Sequence, residues 1–180
     1  VKVEYLAGPE AVSRVVNAPA AGLIPQLAEL DLLGPGVTYL TGAAGMGKSH
    51  LLSEWVTRAL LAGKAARRLR FPQVEAGALS QLIAWLRGSE HARPFVPGPL
   101  LLALDDVHSA PSEVRVALEA FRCRRRDPDD VTLIAALRSA PGDAPSVALG
   151  PLDLLGVRGL CAELGVDTQR AEELFKASEG

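Results

Sequence analysis

The 180 residues are 48% apolar and carry a net charge of −2, which suits one α/β core, or one core plus the start of another unit, and gives no overall field to favour nucleic acid or an anionic membrane. No apolar stretch approaches the roughly 18 residues that a spanning helix needs, and the first residues lack a basic start followed by an apolar block, so neither a membrane span nor a secretion signal is expected. Cys123 and Cys161 lie in helical patterns without metal-ligand spacing; they read as free thiols of a reducing compartment, and a cytoplasmic location is expected.

Residues 1–22 hold a short strand-like start, then Gly8-Pro9 and an Ala-Pro-Ala-Ala-Gly run, and read as a linker or an incoming segment. A short helix is expected over residues 23–33, where Leu23, Leu27, Leu30 and Leu33 share a face. Val37-Thr38-Tyr39-Leu40, entered through Gly34-Pro35-Gly36, is a β-branched and aromatic run that predicts a strand.

Directly after it comes Gly42-Ala43-Ala44-Gly45-Met46-Gly47-Lys48-Ser49, a complete G-x-x-x-x-G-K-[ST] loop. Leu51, Leu52, Trp55, Ala59 and Leu60 follow at helical spacing, so the order is strand, glycine loop, helix. Such a loop turns successive backbone N–H groups toward a phosphate, and the helix behind it aims its positive end at the same place. Lys48 supplies a point charge for the β- and γ-phosphates, and Ser49 a hydroxyl for Mg²⁺. The expected nucleotide-contacting set is Gly42, Ala43, Ala44, Gly45, Met46, Gly47, Lys48, Ser49 and His50, the last an ordinary residue of the first helical turn.

Residues 66–71 alternate Arg68 and Arg70 with Leu69 and Phe71, a second and more exposed strand, and Arg67, Arg68 and Arg70 read as solvated cations. Leu79, Leu82, Ile83 and Leu86 make a helical stripe stopped by Gly88. After a polar, proline-rich connection, Leu100-Leu101-Leu102-Ala103-Leu104-Asp105-Asp106 is an apolar run closed by two carboxylates, the pattern of a central parallel strand buried on both faces. Adjacent acids repel, and a cation gives them a purpose: Asp105 as metal ligand with Ser49, Asp106 as the group that orients or deprotonates an attacking water. Capping of the next turn is the competing reading. His108 lies near this acidic tip.

Pro111 opens a helix carrying Val114, Leu118 and Phe121. Arg122, Arg124, Arg125 and Arg126, followed by Asp127, Asp129 and Asp130, read as a solvated helix end. Residues 131–136 predict another buried strand, residues 146–149 a short last one, and helices are expected over 153–164 and 168–178. Alternating strands and helices imply a parallel sheet covered on both faces.

The motif-bearing residues resemble those of a known family. The run LLLALDDVHSAP at residues 100–111, with VTLIAALR at 131–138, is similar to the nucleotide-binding domain of the STAND ATPases, the class that includes large LuxR-type bacterial regulators and, more distantly, NB-ARC proteins. The resemblance implies a P-loop NTPase core of three α/β/α layers at residues 23–150, with strand order 5-1-4-3-2, and the beginning of a helical lid at residues 151–180. It implies that Arg138 is a catalytic sensor facing the γ-phosphate, with Lys48 and Asp106 as the other catalytic residues; a strand-end arginine in solvent is the alternative. It implies ATP/ADP and Mg²⁺ as cofactors, weak ATP hydrolysis as a regulatory switch, and partners among other domains of a longer chain, with nucleotide-dependent self-association allowed for and neither membrane nor direct nucleic-acid binding expected. The tail, ending Ala177-Ser178-Glu179-Gly180, resembles the run into a glycine-x-proline motif, so a fragment of a longer protein is expected.

One departure from the pattern is that no glycine-arginine pair precedes Leu27, which leaves adenine recognition unassigned. Three rivals stay open. A ring-forming AAA+ motor would place an arginine finger between the strand ending near Arg138 and the last strand, yet residues 139–150 contain no arginine. A small-molecule kinase would want an arginine-bearing lid and an acceptor pocket. An ADP-holding scaffold would use the same loop without turnover.

Overall fold

The computed structural model describes residues 24–89, 100–124, 131–163, 167 and 171–177; the expected linker at 1–22, the acidic run after Arg124 and the chain's last three residues lie outside them. Five strands, β1 (Gly36–Thr41), β2 (Ala65–Arg70), β3 (Leu100–Asp105), β4 (Val131–Leu137) and β5 (Ser146–Ala148), form one sheet in the order β2-β3-β4-β1-β5. Every pairing is parallel. Read from the other edge this is the expected 5-1-4-3-2 order, with the apolar strands β3, β4 and β1 in the middle.

Alternation along each strand sends consecutive residues to opposite faces. Tyr39, Leu102, Leu104, Leu133 and Ala135 pack with Leu82 and Leu86 of α3 (Ala76–Leu86) and with Val114 and Leu118 of α4 (Ser112–Arg122). On the other face Leu40, Ala103, Ile134 and Ala136 pack with Leu27 and Leu30 of α1 (Ile24–Asp31) and with Leu51, Leu52 and Trp55 of α2 (Lys48–Leu61). The result is three layers. Each fully buried leucine in these clusters contributes about 1.5 to 3 kcal/mol.

Register fixes where the chemistry can gather. Thr41 is paired with Leu137, Leu104 with Ala135, and Arg70 with Asp105, so the carboxyl ends of β1, β4, β3 and β2 share one edge of the sheet. In open parallel sheets that edge is where ligands bind.

The outer elements depart in detail from the sequence pattern. Leu60 was expected on the buried stripe but is 54% exposed, and Leu32 is 86% exposed beyond the end of α1. Glu54 takes an interior place on α2 instead, 3% exposed and paired at 2.9 Å with Arg58 one turn on. The tail forms α5 (Leu154–Glu163) and α6 (Ala171–Ala177), joined by an Arg158–Glu172 ion pair of 2.6 Å. Asp153 caps α5 by accepting the Gly156 N–H at 2.7 Å.

Candidate functional site

Where β1 ends, the chain is gripped from the side. The Leu149 N–H donates to the Thr41 carbonyl at 2.7 Å, so the residue just beyond β5 pins the last residue before the loop. Gly42 then has φ 153°, and a Cβ there would stand 2.7 Å from the Leu149 carbonyl oxygen; only glycine fits. Gly47, with φ 79°, caps α2 from the left-handed region, which swings the chain from loop to helix and leaves the first N–H groups of α2 facing the loop's hollow.

Lys48 turns back over this loop. It is 9% exposed, and its ammonium donates to the carbonyls of Gly42 and Ala43, each at 2.7 Å. Two of its three donors are thereby used, and the third remains for an acceptor above the loop. Ala43, Ala44 and Gly45 are exposed at the rim, Met46 is half-buried against the α2 face of the sheet, and His50 is exposed on the first turn of α2.

The Ser49 hydroxyl donates to Asp105 Oδ1 at 3.0 Å. Loop and acidic strand, 56 residues apart, thus meet side chain to side chain, because α2 lies across the face of the sheet to which Asp105 points. Asp105 is fully buried. A carboxylate taken out of water must be paired, and its other oxygen is held by the guanidinium of Arg68, with Arg70 Nε 3.9 Å away.

Asp106 follows with φ 55°, the only non-glycine residue at positive φ among the described residues. Its carboxylate lies 3.2 Å from Arg70 Nε and is partly exposed, and its carbonyl accepts the Ser109 N–H at 2.8 Å. That bond closes a 3₁₀ turn, Val107–Ser109, anchored by fully buried Val107 and carrying exposed His108. The bend turns the Asp106 side chain out of the sheet toward solvent while Asp105 stays inside.

Arg138 is exposed, one residue beyond β4. Because β4 lies between β1 and β3, and Leu137 pairs with Thr41, Arg138 emerges beside Gly42 on the same edge as the two acids. The β4–β5 connection, residues 138–145, contains turns and no helix.

Arg68 and Arg70 correct the expectation that the β2 arginines are solvated: both are tied to the acidic tip, Arg68 to Asp105 and Arg70 to Asp106. Arg67, on the opposite face of β2, is partly buried, and that burial pushes its guanidinium pKa down. The sequence held one usable signal, the spacing of two between Arg68 and Arg70 that puts them on one face. What it lacked was the β2–β3 register.

Among the described residues no three His, Cys, Asp or Glu side chains gather into a metal cage. The oxygens that do converge, one hydroxyl and one buried carboxylate, suit a hard cation that brings most of its own ligands as water and phosphate, which is how magnesium binds with nucleotides. No described helix is long and apolar enough to cross a membrane.

No family model matches the sequence, and no curated protein does. Among solved structures the fold is similar to that in a structure of Drosophila ORC bound to DNA, at TM-score 0.56 and 13% identity over 98% of this chain and 58% of that one. It is similar also to a DNA replication initiation factor, at TM-score 0.50 and 16% identity over 96% of this chain and 58% of that one. The chain therefore spans a little over half the length of each, and at such identities the likeness is one of fold alone: a five-stranded parallel α/β sheet in three layers, with the phosphate loop at its carboxyl edge.

Proposed function

We propose that this chain is the nucleotide-binding module of an ATP-dependent switch, of the STAND kind, which binds ATP with magnesium and hydrolyses it slowly. The observation that carries the reading is the 3.0 Å hydrogen bond from Ser49 to Asp105, which joins a complete phosphate loop to the end of an acidic strand. The loop amides from Gly42 to Ser49 and the remaining donor of Lys48 grip the β- and γ-phosphates. Ser49 and Asp105 are the residues that would hold magnesium, which when bound supplies neutralising charge at the phosphate oxygens. Asp106, aimed outward by its left-handed backbone, orients and accepts a proton from the attacking water. Arg138 senses the γ-phosphate from the strand between the other two.

The helix-free β4–β5 connection favours a switch over a ring motor, since neither the helix nor an arginine finger is present there. DNA, named for the ORC structure, is not carried over: net charge is −2, and Arg68 and Arg70 are spent on Asp105 and Asp106. The partners proposed are the nucleotide and other domains of a longer cytoplasmic regulator, with the α5–α6 pair as the beginning of a lid.

The deciding experiment titrates purified protein with ATP, ADP and GTP, with and without magnesium, and then measures turnover. Saturable binding of ATP and ADP, with slow turnover that Asp106→Asn abolishes, is the expected result. Absence of nucleotide binding would overturn the reading; turnover climbing steeply with protein concentration would replace it with the motor, and tightly held ADP without turnover with the scaffold.

A further inference from the structure

The Arg68 side chain runs from edge strand β2 across the α2 face to the acidic tip. One guanidinium nitrogen, Nη1, donates to the Ser53 hydroxyl and the other, Nη2, to Asp105 Oδ2. Ser53 is one helical turn beyond Ser49, so the guanidinium bridges from the flank of α2 to the carboxylate that Ser49 engages from its other side. Both Asp105 oxygens are consequently occupied by donors of this chain, Oδ1 by Ser49 and Oδ2 by Arg68.

We propose that Arg68 sets the magnesium requirement of the nucleotide site by competing with the cation for Asp105, an inference that rests on the nucleotide reading above. The Ser49 hydroxyl, while donating to Asp105, keeps its lone pairs for a cation. Each Asp105 oxygen also keeps a second lone pair, but a cation or its bound water reaching the carboxylate has to share it with the Arg68 guanidinium already on Oδ2, charge against charge, and uptake is eased when Arg68 lets go. Two features make its release feasible. Arg68 meets the carboxylate through one nitrogen rather than through the two-pronged geometry that makes arginine pairs strongest, and its buried Nε has no acceptor among the described residues, which weakens its hold. A divalent charge beside Asp105 repels the guanidinium, and the side chain, 25% exposed, has a route to solvent. Arg70, 3.9 Å from the same oxygen and 3.2 Å from Asp106, adds to the positive charge that magnesium has to overcome. The site thus takes up magnesium reluctantly.

The test is the magnesium concentration at half-saturation, read by fluorescence of a labelled ADP bound to the protein and, independently, by the loss of free Mn²⁺ signal in electron paramagnetic resonance. Each protein is scaled to its own plateau. Arg68→Gln is expected to lower the midpoint for both ions by roughly tenfold, the scale of one charged hydrogen bond, and Ser53→Ala, which loosens one anchor of the guanidinium, to lower it by less. A midpoint unchanged or raised in Arg68→Gln would overturn the proposal, because a merely structural arginine would leave metal affinity alone or weaken it. Should Arg68→Gln fail to fold, the Ser53→Ala midpoint decides in the same sense. Wild-type protein that binds no ADP at saturating magnesium would instead remove the nucleotide reading itself, a different and separable failure.

Discussion

Gly42 and Leu149 face each other across the join between β1 and β5, with the Leu149 carbonyl oxygen 2.7 Å from where a Gly42 Cβ would be. The obstacle is backbone one residue beyond β5, whose N–H bonds to Thr41, so it cannot rotate aside as a flexible side chain would. Gly42→Ala is therefore expected to push β5 from the sheet or to distort the loop. A loss of about 1 to 3 kcal/mol in urea-unfolding free energy is the expected outcome, together with weaker nucleotide binding. Gly45→Ala is the useful contrast: a Cβ there meets nothing within 4 Å, and only its φ of 84° opposes it, so its cost should be smaller.

Lys48 holds the loop closed through two carbonyls and offers one further donor. Lys48→Met keeps the aliphatic stem over the loop and removes every donor. ATP affinity, measured by calorimetry, should fall by at least about tenfold, the scale of one charge-assisted hydrogen bond, while circular dichroism stays that of the parent. Retained affinity would mean that the ammonium does not reach a phosphate.

The loop and the acidic strand were legible because each is a local pattern: eight consecutive residues, or an apolar run and the two acids ending it. Their juxtaposition followed from the strand order, which came from family resemblance and was met by the sheet itself. The arginine contacts were not legible. β2 and β3 are separated by residues 71–99, and slipping their register by one residue would turn Arg68 to the opposite face relative to Asp105. Nor did the sequence reveal the left-handed backbone of Asp106, since aspartate occupies ordinary regions just as well. The exchange of Leu60 for Glu54 on the buried side of α2 has the same non-local origin, for Arg58 satisfies the glutamate while no described residue covers the end of the helix at Leu60, which is 54% exposed.

Tyr39 gives a stability prediction independent of nucleotide. Its ring is 1% exposed in the core, and its hydroxyl donates to Glu119 on α4, whose other oxygen pairs with Arg122 at 2.9 Å. Burial first, and then the Glu119 carboxylate, raise the tyrosine pKa well above its ordinary 10.0. The folded state thus holds the phenolic proton more tightly than the unfolded chain does. The contribution is fully present below pH 10 and is lost as pH rises from 10 toward the folded value. Tyr39→Phe should cost about 1 kcal/mol at pH 7 by removing one hydrogen bond to a charged group on a half-exposed partner. It should also flatten the fall in stability between pH 10 and 11, measured by chemical unfolding.

Asp106 separates stability from activity. Its φ of 55° is tolerated by aspartate, free for glycine and costly for a β-branched residue. The pair it makes with Arg70, whose side chain is 50% exposed, is worth at most about 1 kcal/mol after solvent screening. Asp106→Gly relieves the backbone, loses that pair and adds freedom to the unfolded chain, so these small effects of opposite sign leave unfolding free energy within about 1 kcal/mol of the parent. Asp106→Val loses the same carboxylate and forces a branched side chain into the left-handed region, at an added cost of about 1 to 2 kcal/mol. Both should bind ATP and neither should hydrolyse it, so comparing their turnover and thermal unfolding distinguishes a carboxylate that acts on water from one that only terminates a strand. Persistent hydrolysis in Asp106→Gly would assign the water to another group.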